Sequence, residues 1–422
     1  MTAAGTLRLA SNILVIKFGF VGMNMKKTWV KIPEVLFFQE GPGVRNTQYT
    51  EEGVKLLNVA NLVNGKVDLS TSDRYISEKE AYGKYKHFLC DDGDFIIASS
   101  GIKVEYIDKK MGFVDETMLP LCMNTSTIRF KVLDENILRI RYFMYYLKSH
   151  HFKEQLFRQI TGSAQLNYGP SHLGKMIMPL IDLANQDEII NYLDRINHII
   201  NARQQQLQKL DELVKARFIE LFGSPVSNPF SWEKKTLKDI CIKLNDGTHF
   251  SPESFKTGEY KYVTAKNIRL SGFDFSNITY VPEEVHRPIF ERCNPELGDV
   301  LYIKDGATTG IAMVNTLEEE FTLLSSVALL KQDRSIINGY FLAALLNNED
   351  MYLDIRNNMG GAAITRLTIA KLNVIKVIVP PIAIQEQFAK FVKQTDKSKV
   401  AVQKALDEVQ LLFDSLMQKY FE

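Results

Sequence analysis

The segment IINYLDRINHIINARQQQLQKLDELVKARFIELF, from Ile189 to Phe222, contains neither glycine nor proline. Its apolar residues recur at alternating spacings of four and three residues, which is the heptad pattern of a helix that packs against another helix. The positions predicted to form this pairing seam are Ile189, Leu193, Ile196, Ile200, Leu207, Leu210, Val214 and Leu221. Arg203 and Arg217 complete the alternation as polar members of the seam.

A second segment, from Ile382 to Phe421, repeats this spacing in the same register. Each segment predicts a helical rod of about 55 Å. Polar residues on a seam cost stability but fix register and partner, so we expect the two helices to pair with each other in one alignment. The pairing positions predicted in the second segment are Phe388, Val392, Val402, Leu406, Val409, Phe413, Leu416 and Tyr420, with Thr395 and Lys399 as its polar positions.

The residues that precede each heptad segment form an internal repeat of low identity but constant order. The recurring features are a tryptophan (Trp29 and Trp232), a strand-like run (56–62 and 262–268), a Gly-Asp pair leading into an apolar strand (93–99 and 298–304), a helix (142–159 and 340–358), and a closing strand before a proline (Pro179 and Pro380). Two copies of one scaffold with diverged surfaces are expected where two different things must be recognised.

The repeat and the heptads together predict a mixed α/β (α+β) fold with two tandem globular domains of largely β structure and two long helices. The heptads alone are equally compatible with a helical hairpin that dimerises the protein. The order domain, helix, domain, helix favours an antiparallel coiled coil within the chain. The predicted boundaries are an N-terminal extension at 1–25, a first domain at 26–181, a first helix at 182–223, a second domain at 231–381 and a second helix at 382–422.

Composition narrows the class of protein. With 45% hydrophobic and 24% charged residues, the chain of 422 residues is an ordinary globular protein. Its net charge of +1 argues against a broad basic surface, so any contact with nucleic acid must be local or shared with partner subunits. The four cysteines show no CxxC pairing, which fits a reducing cytoplasm. The apolar stretch from Leu9 to Gly22 contains Lys17 and is shorter than a membrane span of roughly 20 residues, so no membrane association is expected.

The junction between each closing strand and its long helix resembles a known family. Residues 380–387, PPIAIQEQ, and more weakly residues 179–186, PLIDLANQ, are similar to the start of the long helices in specificity subunits of type I restriction-modification enzymes. Residues 162–167, GSAQLN, resemble the Gly-Ser-x-Gln loop of that family, whereas the second copy at 360–366 lacks the glutamine. The resemblance covers about residues 26–422 and departs from the family at the N-terminal 25 residues.

The resemblance implies a subunit that binds double-stranded DNA and carries no catalytic centre. Each domain is then a target recognition domain that reads one half of a bipartite, asymmetric site. The helices act as a spacer and as the docking surface for two methyltransferase subunits, and restriction subunits join the full complex. S-adenosylmethionine, ATP and Mg are expected on those partners, with no cofactor bound by this chain.

Small and polar turns after the Gly-Asp strands are the predicted places of DNA contact, because hydroxyls, amides and long cations at such turns can reach phosphates or base edges. The alternative is a solvated turn with an ordinary surface lysine. Asn61 and Asn267 are interpreted as turn formers in preference to adenine contacts. The residues predicted to contact DNA are Ser99, Ser100, Lys103, Gln165, Asn167 and Tyr168 in the first domain, and Lys266, Arg269, Lys304, Thr308, Thr309 and Arg366 in the second.

No catalytic or metal-binding residue is predicted. The sequence has neither an Asn-Pro-Pro-Tyr-like loop nor a glycine-rich turn for a methyl donor, and residues 305–310 lack the Gly-Lys-Ser/Thr ending of a P-loop. None of the seven histidines has the HExxH spacing of a zinc enzyme. Two other hypotheses stay open, namely an enzyme whose catalytic domain is unrecognised and a coiled-coil scaffold with no DNA role.

Overall fold

The computed structural model describes residues 25–101, 103–160, 167–357 and 366–422. These residues divide into two compact units. The first contains the described residues up to Ala202 together with Ala405–Glu422, and the second is Arg203–Lys404. Each unit therefore combines one globular domain with one part of each long helix.

The domain of the first unit is built from small sheets. A four-stranded antiparallel sheet has the order β2-β10-β7-β8, and a three-stranded sheet has the order β6-β3-β9, in which β3 and β9 are parallel. β1 pairs with β11, which joins the two ends of the domain, and β4 pairs with β5. The strands are β1 Thr28–Lys31, β2 Leu36–Glu40, β3 Val54–Leu57, β4 Leu62–Val63, β5 Lys66–Val67, β6 Tyr75–Ile76, β7 Phe95–Ala98, β8 Met111–Phe113, β9 Leu121–Met123, β10 Thr127–Val132 and β11 Ile177–Leu180.

The second domain has the same topology, which confirms the internal repeat. Its sheets have the orders β13-β21-β18-β19, β17-β14-β20, β12-β22 and β15-β16, and β14 and β20 are again parallel. The strands are β12 Lys234–Thr236, β13 Cys241–Asp246, β14 Tyr260–Val263, β15 Ile268–Arg269, β16 Gly272–Phe273, β17 Thr279–Val281, β18 Val300–Ile303, β19 Ala312–Val314, β20 Phe321–Leu323, β21 Val327–Gln332 and β22 Lys376–Ile378.

Short helices complete the domains, and α3 lies against β10 while α9 lies against β18 and β19. The helices of the first domain are α1 Ile32–Val35, α2 Glu78–Tyr82, α3 Ile140–Lys148, α4 His150–Gln159 and α5 Pro170–Leu173. The first long helix is α6, Leu183–Phe222. The second domain contains α7 Leu237–Ile240, α8 Glu283–Arg292, α9 Gly339–Leu346, α10 Glu349–Asn357 and α11 Ile369–Asn373, and the second long helix is α12, Ile382–Phe421.

Two predictions about elements were wrong in detail. The helices expected at 142–159 and 340–358 are each broken in two. Ser149 has an extended backbone, and its hydroxyl accepts a hydrogen bond from Phe152 N at 3.2 Å, so it caps α4 where one continuous helix was predicted. In the second domain the side chain of Asn348 accepts hydrogen bonds from Asp350 N and Met351 N in the same way.

The strand-like runs at 56–62 and 262–268 are also interrupted, by single 3₁₀ turns at Val59–Asn61 and Ala265–Asn267. Asn61 Oδ1 accepts from Asn58 N at 2.9 Å, and Asn61 Nδ2 donates to Asp68 O at 3.1 Å. Asn267 makes the equivalent pair of hydrogen bonds, with Thr264 N and Asp274 O. The interpretation of both asparagines as turn formers is therefore confirmed.

The Gly-Asp pair forms the same turn in both domains. Gly93 and Gly298 have φ of +82° and +89°, which favours glycine, and each precedes a buried aspartate. Asp94 Oδ2 accepts from Asp91 N at 2.8 Å, and Asp299 Oδ2 accepts from Glu296 N at 2.9 Å. Burial raises the pKa of Asp299. The turn thus directs β7 and β18 into the centres of their sheets.

Each unit packs the start of one long helix with the end of the other, so the two helices run antiparallel within each unit. In the first unit Leu193 of α6 shares one hydrophobic core with Leu416 of α12. In the second unit the ring of Phe388 in α12 lies 5.7 Å from that of Phe218 and 5.6 Å from that of Phe222 in α6. Within the part of the chain that the structure describes, no helix combines the length and apolarity that crossing a bilayer requires.

All residues predicted to form the seam are buried or half-buried. Of the polar seam positions, Lys399 forms an ion pair with Asp211 of α6 at 2.6 Å, which links the two helices in the second unit. Thr395 donates to Phe391 O of its own helix at 3.0 Å. Arg203 and Arg217 contact Gln206 and Glu220, also on their own helix.

A buried glutamine attaches each long helix to its domain. Gln385 accepts a hydrogen bond from Asn338 N at 2.9 Å, and its Nε2 donates to Ile336 O and Pro380 O at 3.1 and 2.7 Å. Gln186 makes the equivalent bonds with Arg139 N, Ile137 O and Ile181 O. Both side chains are fully buried. These are the glutamines of the two junction motifs, so the motif holds the helix start against the loop before α3 or α9.

We expect Gln385→Ala to lower the free energy of unfolding of the second unit by about 2–4 kcal/mol, because the change leaves one N–H and two carbonyls without partners and opens a cavity. The measurement is urea denaturation of the full chain. Gln387→Ala is the matched control, since Gln387 lies on the same helix and is exposed. Equal midpoints for the two variants would contradict the proposed attachment.

Candidate nucleic-acid interface

Loops from separate parts of the second domain meet beside the end of β18. Lys304 N donates to Ser326 O at 2.9 Å, and Leu367 N donates to Lys304 O at 2.8 Å. Ser325 N in turn donates to Thr248 O at 2.8 Å. One loop cluster therefore forms here. It contains the residues that follow β13, those that follow β18, those that precede β21, and the segment at Arg366.

The first domain builds the same loop cluster with different side chains. Ser99 N donates to Ser126 O at 2.8 Å, and Tyr168 N donates to Ser99 O at 3.0 Å. Ser100 forms an isolated β-bridge with Asn167, as Asp305 does with Arg366. These pairs make Ser99 equivalent to Lys304, Ser100 to Asp305, and Asn167 to Arg366.

An acidic residue at the end of β2 or β13 faces each loop cluster. Glu40 lies opposite Ile128 in the β2–β10 ladder, and Asp246 lies opposite Ala328 at the corresponding place in β13–β21. The glycine that follows Asp246 is required by close approach, since a Cβ at Gly247 would lie 1.8 Å from Leu323 O. A side chain there would push the loop away from its neighbour.

Four of the predicted DNA-contact residues are buried and have partners inside their own domain. Lys304 is only 2% exposed, and its Nζ lies 3.1 Å from Asp246 Oδ2. The Tyr168 hydroxyl donates to Ala98 O at 2.8 Å, and burial raises the pKa of this phenol well above its usual value. Thr309 Oγ1 donates to Gly306 O at 2.7 Å, and Ser99 Oγ donates to Glu40 Oε1 at 3.4 Å. In this conformation these groups stabilise the loops.

The remaining predicted contact residues are more accessible. Arg366 is exposed and lies 3.6 Å from Asp305, and Arg269 is half-buried and lies 3.1 Å from Asp274 Oδ2. Ser100 is half-buried. Gln165 lies outside the described residues. The others, all exposed, are Lys103, Asn167, Lys266 and Thr308.

The residues around Asp246 were not predicted from the sequence. Nε2 of His249 lies 3.1 Å from Asp246 Oδ1, and the guanidinium of Arg292 donates to Asp246 O at 3.1 Å. Both side chains are about half exposed. His249 and Arg292 come from a loop and a helix that are distant in sequence, so no short motif joins them to Lys304. The cluster offers cationic and hydrogen-bonding groups to a ligand at the edge of the sheet.

The thiols of the chain are not arranged for nucleophilic chemistry. All four cysteines are free, and burial raises the pKa of Cys122, Cys241 and Cys293 to about 12. Within residues 25–101, 103–160, 167–357 and 366–422, no group of three or more metal-ligating side chains is present. The groups that the loop clusters do expose can form hydrogen bonds and ion pairs.

Comparisons with known proteins identify one family. The family model for the type I restriction modification DNA specificity domain matches the chain twice, at residues 28–212 and 229–410. The chain is 25% identical over 190 residues to the type I restriction enzyme MjaVIII specificity subunit of Methanocaldococcus jannaschii, and the match covers 44% of this chain and 43% of that relative. It therefore spans less than half the length of that relative.

Two further likenesses cover more of the chain. Identity to the type I restriction enzyme MjaIX specificity subunit of the same organism is 22% over 299 residues, covering 66% of this chain and 67% of the relative. The fold is similar to the crystal structure of the S subunit of a type I restriction-modification system from M. genitalium, with a TM-score of 0.57 and 18% identity over 95% of this chain and 98% of that chain.

We expect Lys304→Ala to destabilise the second unit by about 3 kcal/mol, because removal of one partner of a buried ion pair leaves an uncompensated charge. Thermal or urea denaturation measures the effect, and Lys256→Ala, at an exposed lysine of the same unit, should change stability by less than about 0.5 kcal/mol. A Lys304→Ala chain as stable as the control but deficient in DNA binding would instead assign Lys304 to direct contact.

Proposed function

Because this chain belongs to the family of type I restriction modification DNA specificity domains, we propose that it selects the DNA sequence on which a type I restriction-modification enzyme acts. Each domain reads one half of an interrupted, asymmetric site. Methyl transfer, translocation and cleavage take place on partner subunits, which carry S-adenosylmethionine, ATP and Mg. This chain supplies no catalytic group.

The observation that carries this proposal is the pair of loop clusters. They share the same backbone contacts but carry different side chains at equivalent positions. At equivalent positions the first domain has Ser100 and Asn167, and the second has Asp305 and Arg366. Hydroxyl and amide groups can donate and accept hydrogen bonds, whereas a guanidinium only donates and suits the two acceptors of guanine. Such divergence on a common backbone is expected when the two copies read different base sequences.

The long helices are the proposed docking surface for two methyltransferase subunits. They expose apolar side chains such as Leu213, Ile219 and Val400, which are 49%, 44% and 70% exposed. Exposed apolar residues on otherwise charged helices favour a protein partner. Restriction subunits then join through the assembled complex.

The decisive experiment expresses the chain with its cognate methyltransferase subunits in a host that lacks other methylation, and reads the genome by single-molecule methylation sequencing. We expect a bipartite motif with methylated adenine. Asn167→Ala and Arg366→Ala should each alter the motif in one half only, and in opposite halves, so that each variant is the control for the other. A lost bidentate base contact costs about 1–3 kcal/mol of discrimination.

Two other outcomes would contradict the proposal. Methyl transfer or DNA cleavage by the purified chain alone would make it an enzyme. Indifference to DNA in gel-shift binding, with and without methyltransferase subunits, would make it a scaffold with no DNA role.

An insertion of one heptad tests the spacer role of the helices. The division between the two units falls within both long helices, after Ala202 and after Lys404, so an insertion at both places leaves the core of each unit uninterrupted. Seven residues lengthen a helix by about 10 Å, which corresponds to about 3 base pairs of DNA. We expect the gap in the methylated motif to grow by about that amount while both half-sites stay the same.

Insertion into α6 alone is the control for this experiment, because it shifts the seam of one helix against the other and should abolish methylation. An unchanged gap in the chain with both insertions would refute the spacer role.

A further inference from the structure

The connection between β7 and β8 in the first domain is longer than its counterpart in the second. It comprises residues 99–110 and includes the 3₁₀ helix Val104–Lys109, whereas the connection between β18 and β19 comprises only residues 304–311. The extra residues lie directly after Ser99 and Ser100 of the first loop cluster. The insertion therefore distinguishes the first domain at the place where DNA contact is proposed.

The inserted residues form one wall of an open cleft of about 420 Å³. Lys103, Tyr106, Lys109 and Lys110 line it together with Asn64. Tyr106 is half exposed, and the Lys109 ammonium lies 5.4 Å from the centre of its ring. The cleft thus brings three cations and a phenol hydroxyl to one concave surface.

The insertion contains two acids, and one of them, Asp108, pairs outside the cleft. Asp108 pairs with Lys153 of α4 at 3.2 Å, and the Lys153 ammonium also donates a hydrogen bond to the backbone carbonyl of Glu105 at 3.3 Å. Among the described residues, no carboxylate lines the cleft. Lys110 is held by a hydrogen bond from its Nζ to Val59 O at 3.3 Å. These contacts of Asp108, Glu105 and Lys110 attach the insertion to the rest of the domain. The Lys103 and Lys109 side chains remain exposed to solvent.

Three lysines line this cleft in a chain whose net charge is only +1. A cleft with three cations and no anion is a site for a polyanion, and a phenol hydroxyl adds a hydrogen-bond donor of the kind that commonly contacts phosphate oxygens. The adjoining loop cluster is the proposed reader of bases. A ligand that occupies both surfaces must present base edges beside a backbone of regularly spaced phosphates.

We propose that the cleft of Lys103, Tyr106, Lys109 and Lys110 binds the sugar-phosphate backbone of duplex DNA beside the half-site read by the first domain. The proposal rests on the DNA-binding function proposed above. Contacts of this kind position the protein on DNA without reading its sequence, so they contribute equally to cognate and unrelated duplexes. Because the second domain lacks the insertion, it holds its half-site without this contact.

The test measures binding of fluorescent duplex DNA to the full chain assembled with its methyltransferase subunits, at salt concentrations between 50 and 200 mM. Each phosphate contact contributes about 0.9 to the slope of log affinity against log salt. Lys103→Ala combined with Lys109→Ala should therefore reduce the slope by about 1.8, and by the same amount on cognate and scrambled duplexes. Arginine at both positions keeps the charge and should restore the slope.

Lys79→Ala is the charge control, because Lys79 is exposed on α2 of the same unit and does not line the cleft. An unchanged slope in the double alanine variant, or an equal reduction per charge in the Lys79 variant, would overturn the cleft as a phosphate site while leaving DNA recognition intact. Failure of the unsubstituted assembly to bind any duplex would instead overturn the proposed function, and the cleft proposal with it.

Discussion

Apolar packing between the start of one long helix and the end of the other closes each unit. In the first unit, Phe421 lies at the far end of the chain, yet its ring centre is 5.2 Å from that of Tyr142 and 6.0 Å from that of Tyr146. Full burial of one such side chain contributes about 1.5–3 kcal/mol. Hydrophobic burial has no direction, however, so alignment depends on polar contacts. Gln186 and Gln385 hold the helix starts, and Lys399 pairs with Asp211.

The two domains keep their backbone contacts and change their side chains. The Gly-Asp turn, the asparagine turn and the buried glutamine all act on the backbone, and all three occur in both copies. The loop clusters carry different side chains at equivalent positions, Ser100 and Asn167 in one and Asp305 and Arg366 in the other. A scaffold fixed by side-chain-to-backbone hydrogen bonds can change its surface without losing its fold, because those bonds do not involve the exposed loop side chains.

The periodic and repeated features of the fold could be predicted from sequence, because heptads and internal repeats are patterns within a single segment or between two of them. The break before α4 could not, since Ser149 is compatible with a helix interior and only its capping geometry ends α3. The same limit applies to the candidate site. A lysine after a buried strand suggests a DNA contact, but Lys304 meets Asp246, which lies 58 positions earlier in the sequence. A contact between residues so far apart in the chain produces no recognisable local sequence motif.

The sequence gives the net charge of the chain, and the structure shows where the individual charges lie. A net charge of +1 predicts that this chain has no general affinity for a polyanion. In the structure Asp108 is paired with Lys153, while Lys103 and Lys109 remain exposed at one cleft. Field lines concentrate in such concave surfaces, so a few uncompensated cations can hold DNA where a uniform distribution could not. In the proposed complex, the partner subunits supply the remaining phosphate neutralisation for this nearly neutral chain.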